Sequence, residues 1–150
     1  MPYLSLSSPL GPLTVFEDEA TIVAVEFGRA PPGEETPLLE EARRQLDAYF
    51  DGQLRDFSLP LAAAGSAFQR VVWGAISAIP YGETRTYGDL ANALGSAARA
   101  IGGACGRNPI PIIVPCHRVV GAGGRLTGYS GGEGTDTKRV LLALEAAHVP

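Results

Sequence analysis

The sequence predicts an α+β protein: a small N-terminal antiparallel β-sheet with one helix over residues 1–64, then a mostly helical lobe over residues 65–150. Three observations predict this. Short alternating or β-branched runs crowd the first 27 residues, separated by turn residues. From Thr36 onward, apolar residues recur mainly at helical spacing. Ala62-Ala63-Ala64-Gly65 divides the two regimes as an inter-lobe linker.

In the first lobe, Tyr3 to Ser7 and Leu13 to Phe16 read as strands, split by Ser8-Pro9-Leu10-Gly11-Pro12. Thr21 to Phe27 is a third strand, and the acidic turn Glu17-Asp18-Glu19 before it implies an antiparallel meander. Thr36 caps a helix with Pro37 in its first position. Leu38, Leu39, Ala42, Leu46, Tyr49 and Phe50 recur at helical spacing, and Gly52 stops the run. Phe57 to Leu61 reads as a fourth short strand.

In the second lobe, Ser66-Ala67-Phe68-Gln69 has the form of a capping box. Phe68, Val71, Val72, Ala75, Ile76 and Ile79 form its apolar stripe, which Pro80-Tyr81-Gly82 ends. Thr86-Tyr87-Gly88-Asp89 caps a short helix through Leu94, and Gly95-Ser96 turns into a second helix from Ala97 to Cys105. The pair has helix-turn-helix form, which fits either a DNA-binding unit or a hairpin packed inside the protein. Its second helix carries Ala97, Ala98, Ala100, Gly102, Gly103 and Ala104, with Arg99 the only long side chain in its middle. Asn108-Pro109-Ile110-Pro111 punctuates the chain, and Ile112-Ile113-Val114 reads as a buried strand leading to Cys116. Thr135 or Asp136 caps a last helix that carries Val140, Leu141, Leu144 and, near its end, Glu145.

Composition excludes several classes. Hydrophobic residues make up 45% of 150 residues, a globular proportion without a stretch apolar enough for a membrane span. The N-terminus lacks the pattern of a signal peptide, so a cytoplasmic location is expected. Two cysteines are too few for a disulfide framework. The net charge of -4 is unevenly spread. Residues 1–64 hold 4 Arg against 11 Asp and Glu, a net of −7; residues 65–150 hold 8 Lys and Arg against 5, a net of +3. The second lobe is therefore the one compatible with a phosphate backbone.

The chemistry concentrates in Pro115-Cys116-His117-Arg118-Val119. A thiolate is the reactive form of cysteine, and neighbouring imidazole or cationic groups stabilise it. Cys116 therefore reads as an activated nucleophile, or as a small buried hydrophobe. Glu145 is a candidate to orient His117 in a nucleophile–base–orienter relay. Zinc is a competing use, but Cys105, Cys116, His117 and His148 have no ligand spacing, so no metal is expected. Cys105 reads as packing.

Taken together, these segments resemble the O6-alkylguanine-DNA alkyltransferase family (methylated-DNA–protein-cysteine methyltransferases). The resemblance runs from about Phe68 to Glu145. It rests on Ile79-Pro80-Tyr81-Gly82-Glu83-Thr84-Arg85-Thr86-Tyr87-Gly88, Ala98-Arg99-Ala100-Ile101-Gly102 and Asn108-Pro109. It continues through Ile112 to Val119, Gly128-Tyr129-Ser130-Gly131-Gly132 and Leu141 to Glu145. The first lobe matches only in kind.

The resemblance implies direct-reversal DNA repair. Cys116 takes an alkyl group from O6-alkylguanine, with O4-alkylthymine an alternative substrate, in one irreversible turnover. His117 deprotonates Cys116 through a water, Glu145 orients His117, and Asn108 holds the active-site loop. Tyr87 donates a proton or hydrogen bond to the leaving guanine. Val114, Pro115, Tyr129, Ser130 and Gly131 form the base pocket. Arg99 fills the stack where the base has flipped out. Ala98, Ala100, Gly102, Thr86 and Arg107 face double-stranded DNA through its minor groove. The family further implies no cofactor, no membrane partner and a monomer. One departure stands out: the turn from Leu94 to Arg99 is about two residues shorter than the family's and lacks its proline.

Overall fold

The computed structural model of the chain describes residues 1–127 and 134–149. Strands β1 (Tyr3–Leu6), β2 (Leu13–Asp18) and β3 (Thr21–Phe27) form an antiparallel meander in the order β1-β2-β3. Leu4 faces Val15 and Val15 faces Val25 across the ladder. With Leu6, Leu13 and Ile22 they form the buried face of the sheet. The β2–β3 turn is Glu19-Ala20, both at positive φ (48° and 62°), the backbone a two-residue hairpin requires. The strain is carried by residues other than glycine.

Helix α1 (Pro37–Phe50) covers that face. Thr36 Oγ1 accepts from Leu39 N at 3.1 Å, and Pro37 opens the helix. Leu39, Ala42, Leu46 and Tyr49 are buried, and full burial of a leucine side chain contributes about 1.5–3 kcal/mol. Gly52, at φ 74°, follows the helix. A side chain there would strike the His148 ring.

The expected fourth strand over Phe57 to Leu61 is a single bridge, Ile22 to Leu61. The physical reason lies in its donors. Ser58 N is taken by the buried Gln45 Oε1 at 2.9 Å, and Pro60 has no N–H. Only Pro60 O and Ala62 N remain to pair with Ile22.

Helix α2 (Ala67–Ser77) starts at Ser66, whose capping box with Gln69 is complete. Its buried side is Val72, Trp73 and Ile76 rather than the full expected stripe; Phe68 and Val71 are 40% and 55% exposed. Trp73 rotates the packed face, because its Nε1 donates to Ala104 O at 2.9 Å and ties α2 to α4. Strand β4 (Arg85–Thr86) pairs in parallel with β5 (Val119–Val120), a contact the sequence did not suggest. Thr86 and Asp89 form the capping box of α3 (Tyr87–Leu94), and Gly95 ends it in the left-handed conformation at φ 64°. Helix α4 (Ala98–Gly106) follows after two further residues, Ser96 and Ala97. Helix α5 (Thr135–Ala147) begins after Gly134, so Thr135 is its first residue and not its cap. Among the described residues, no helix is long and apolar enough to cross a membrane.

Candidate active site

Ile112 to Val114 is buried as expected, but it is a turn and not a strand. Asn108 closes it. Asn108 Oδ1 accepts from Ile110 N at 2.9 Å, and Nδ2 donates to Val114 O at 3.0 Å and Cys116 Sγ at 3.1 Å. Val114 N returns to Ile110 O at 2.9 Å. Ile112 is driven to φ 75°, a conformation costly for a β-branched residue. The chain then enters a 3-10 turn over Cys116–Arg118. With three residues per turn, successive side chains point about 120° apart. Neighbours in sequence therefore diverge.

In the resting protein the two neighbours expected to stabilise a Cys116 thiolate are engaged elsewhere. Both side chains bond Glu145. The Cys116 thiol is 6% exposed and donates to Cys105 O at 3.6 Å. Its hydrogen bond with Cys105 and its burial push the thiol well above its ordinary value, while Asn108 and Lys138 pull it down. In the free protein Cys116 is a neutral thiol.

Glu145 on α5 is 1% exposed and is the hub of the site. Oε2 accepts from Tyr49 Oη at 2.6 Å, lies 2.7 Å from His117 Nε2, and accepts from Arg118 Nη2 at 3.0 Å. Oε1 accepts from Arg118 Nε at 2.8 Å and Gly82 N at 3.3 Å. Burial alone would raise this carboxyl, but the hydrogen bonds from His117, Arg118 and Tyr49 bring it down to about 2. Arg118 spends its third nitrogen on Ile79 O at 2.7 Å.

His117 is fully buried. Burial lowers its basicity against the pull of Glu145, so the ring is neutral at pH 7. A carboxylate can only accept, so the ring proton sits on Nε2. Nδ1 then carries a lone pair, and it has no hydrogen-bond partner among the described residues. A neutral, oriented imidazole with an open lone pair can act as a general base.

Tyr87 opens α3. Its hydroxyl donates to Thr127 O at 3.3 Å and accepts from Lys138 Nζ at 3.4 Å. Burial and the nearby Cys105 and Cys116 sulfurs raise the phenol above its ordinary value, so it keeps its proton. Lys138 Nζ also donates to Thr127 O at 3.0 Å. Burial lowers its basicity.

Arg99, Ala98 and Ala100 are exposed on the first turn of α4, and Arg107 is exposed just beyond its end. Arg99 therefore faces outward. Gly102 packs beside Tyr87, where a Cβ would lie 3.9 Å from Cε1. A Cβ on Gly103 or Gly106 would meet nothing within 4 Å. Internal packing therefore does not require glycine at these positions. Thr86 is half-buried, and its Oγ1 accepts from Asp89 N at 2.9 Å. Val114 and Pro115 line the buried turn. Tyr129, Ser130 and Gly131 lie outside the described residues.

Two family models cover this architecture. Residues 1–63 match the ribonuclease-like domain of 6-O-methylguanine DNA methyltransferase, and residues 67–147 match its DNA binding domain. The chain belongs to the 6-O-methylguanine DNA methyltransferase family. A methylated-DNA–protein-cysteine methyltransferase of Methanosarcina acetivorans is 47% identical over 98% of this chain and 99% of the relative. The constitutive enzyme of that name from Bacillus subtilis is 44% identical over 95% and 94%. The crystal structure of Mycobacterium tuberculosis OGT in complex with DNA superposes with a TM-score of 0.88 at 44% identity, covering 99% of this chain and 94% of that one.

Sequence reasoning did not place four residues in this candidate site. Tyr49 and Gly82 bond Glu145, Lys138 bonds Tyr87, and Cys105 touches Cys116. One signal was available. Lys138 is the only lysine in the chain, and it stands seven residues before Glu145. Two helical turns put both on one face of α5, with Leu141 buried between them.

Proposed function

We propose that this chain repairs alkylated DNA by moving the alkyl group of O6-alkylguanine to Cys116 Sγ, once per molecule. The observation that carries the reading is the neutral His117 ring, bonded to Glu145 through Nε2, with an Nδ1 lone pair that has no partner among the described residues, on the residue next to the buried Cys116 thiol.

The O6 carbon lies inside the duplex, so the nucleotide must be extruded, at a cost of a few kcal/mol. Exposed Arg99 occupies the gap it leaves in the stack. Ala98, Ala100 and Gly102 let α4 lie close in the narrow minor groove, with Thr86 and Arg107 beside it. The +3 charge of residues 65–150 gives modest, salt-sensitive binding.

Deprotonation starts the chemistry. His117 Nδ1 takes the Cys116 proton through one water, and Glu145 stabilises the resulting imidazolium. Asn108 Nδ2 donates to the thiolate. The sulfur attacks the methyl carbon, the carbon–O6 bond breaks, and its electron pair moves onto guanine. Tyr87 supplies a proton to the departing base. A thioether and unmodified guanine result. Water does not hydrolyse the thioether under mild conditions, so the molecule is spent. Val114, Pro115 and the segment Tyr129-Ser130-Gly131 wall the base. Residues 1–64 buttress Glu145 through Tyr49, and the protein acts as a monomer in the cytoplasm.

The test is intact-protein mass spectrometry after incubation with a duplex carrying one O6-methylguanine. One methyl group on the Cys116 peptide, stopping at one per chain, is the expected result. Cys116→Ala should keep DNA binding and lose transfer. Transfer by Cys116→Ala would sink the reading, and a bound lesion without any adduct would make the chain a sensor.

A further inference from the structure

Cys105 takes no part in the proposed transfer, yet it lies against the acceptor. The chain has only two cysteines, both free, and the fold brings them together. Cys105 is on the last turn of α4, and Cys116 opens the 3-10 turn after the Asn108 loop. Cys116 Sγ lies 3.6 Å from the Cys105 carbonyl oxygen, so the acceptor sulfur rests directly against the Cys105 residue. Both backbones are anchored: Trp73 holds Ala104 O, and Asn108 holds Val114 O. The thiols thus stay near each other without a search of conformations.

Their exposure differs. Cys116 is 6% exposed, whereas Cys105 is only half-buried. A small oxidant in solution meets Cys105 first. The neighbouring Cys116 thiol and the Lys138 ammonium lower the Cys105 thiol below its ordinary value, against its burial, and so favour the thiolate, the form that attacks peroxides.

We propose that Cys105 and Cys116 form a hydroperoxide-reactive dithiol that closes to an intramolecular disulfide and so withdraws the acceptor sulfur from alkyl transfer. The Cys105 thiolate attacks the distal peroxide oxygen; the O–O bond breaks, giving a sulfenic acid and, after protonation, an alcohol or water. The Cys116 sulfur attacks the sulfenic sulfur, the S–O bond breaks, and hydroxide leaves with the Cys116 proton as water. Two thiols have lost two electrons, and the peroxide has gained them. A reducing dithiol reverses the bridge by exchange through a mixed disulfide. A Cys116 that already carries a methyl group cannot close the bridge, so the reaction is confined to unspent protein. That last consequence rests on the proposed transfer; the oxidation itself does not.

The test uses the full chain, reduced, treated with graded hydrogen peroxide in the absence of DNA. The expected product is lighter by two hydrogens, loses both thiols together and yields a linked Cys105–Cys116 peptide pair. Methyl transfer falls in step with that product and returns after dithiothreitol. The Cys105→Ser variant, compared with its own untreated sample, gains oxygen at Cys116 and forms no linked pair. Oxygen addition to the parent without loss of two hydrogens, bridging only between chains, or unchanged thiols would overturn the proposal. A clean disulfide in a protein that never transfers a methyl group would uphold the oxidation site and fail the transfer reading alone.

Discussion

Tyr49 Oη donates to Glu145 Oε2 at 2.6 Å, and this bond joins the helix of the N-terminal lobe to the helix that orients His117. Tyr49 is fully buried, and its ring packs against Phe50, Phe57 and Tyr81. Its own burial, the Glu145 charge and the bond itself hold the phenol far above its ordinary value, so it remains a donor. Tyr49→Phe keeps the ring and removes only this donor. A hydrogen bond to a charged group is worth about 1.5–3 kcal/mol. We expect that loss in urea unfolding, with Tm lowered by about 2–4 °C for each kcal/mol. Methyl transfer should slow as well, because the carboxylate that fixes the His117 ring loses one of its restraints. Unchanged stability and rate would mean that the bond does not couple the two helices.

Glu145→Gln has a larger effect for a different reason. Arg118 is 5% exposed and its guanidinium is paired with this carboxylate. Removing one partner of a buried pair costs about 3–5 kcal/mol, because the remaining charge stays desolvated. Replacing Arg118 by Met in the same chain removes the stranded cation. The double variant should therefore be more stable than Glu145→Gln alone, by a chemical-denaturation comparison, while transfer stays impaired in both. A double variant no more stable than the single one would show that Arg118 does not bear the cost.

The legibility of these relationships in the sequence followed their range. Thr36, the Ser66/Gln69 box and the Thr86/Asp89 box act within four residues of themselves, and the structure has each as read. Cys116 and His117 were visible as a motif, but not their divergence, which depends on a 3-10 turn. Ile112 to Val114 misled because a short apolar run suits a buried turn as well as a strand. Asn108 decides between them, through bonds to Ile110, Val114 and Cys116. Phe57 to Leu61 failed as a strand because Gln45, from α1, takes the Ser58 N–H. Tyr49 stands 96 residues from Glu145, and nothing local to either announces the contact.

His117 gives the fold a specific acid sensitivity. Its basicity is lowered from an ordinary 6.5 by burial, so the unfolded chain binds the proton at higher pH than the folded one. The stabilisation is complete above pH 6.5 and is lost as pH falls through the folded value. One such group changes stability by at most about 1.4 kcal/mol per pH unit. Glu145 adds a separate loss, which starts near its ordinary 4.5 and runs down to about 2. Urea midpoints measured between pH 7.5 and 5 should therefore fall for the parent and stay flatter for His117→Gln. Parallel slopes for the two proteins would remove His117 as the source.

Gly103 separates the needs of the fold from those of the DNA surface. It is exposed in the middle of α4, and a Cβ there would meet nothing within 4 Å. In a helix interior alanine is favoured over glycine by about 0.8–1.0 kcal/mol. Gly103→Ala should therefore stabilise the free protein by close to that amount in thermal or urea unfolding. Gly103→Leu should fold too, since its side chain points into open space. If α4 lies close in the minor groove, the leucine must hold the duplex away, and affinity for a lesion-bearing duplex should drop about tenfold or more while stability does not. The Arg99→Ala variant should show the complementary pattern: duplex binding near that of the parent, and slower methyl transfer. Undiminished duplex affinity in Gly103→Leu would place the DNA on another face of the lobe.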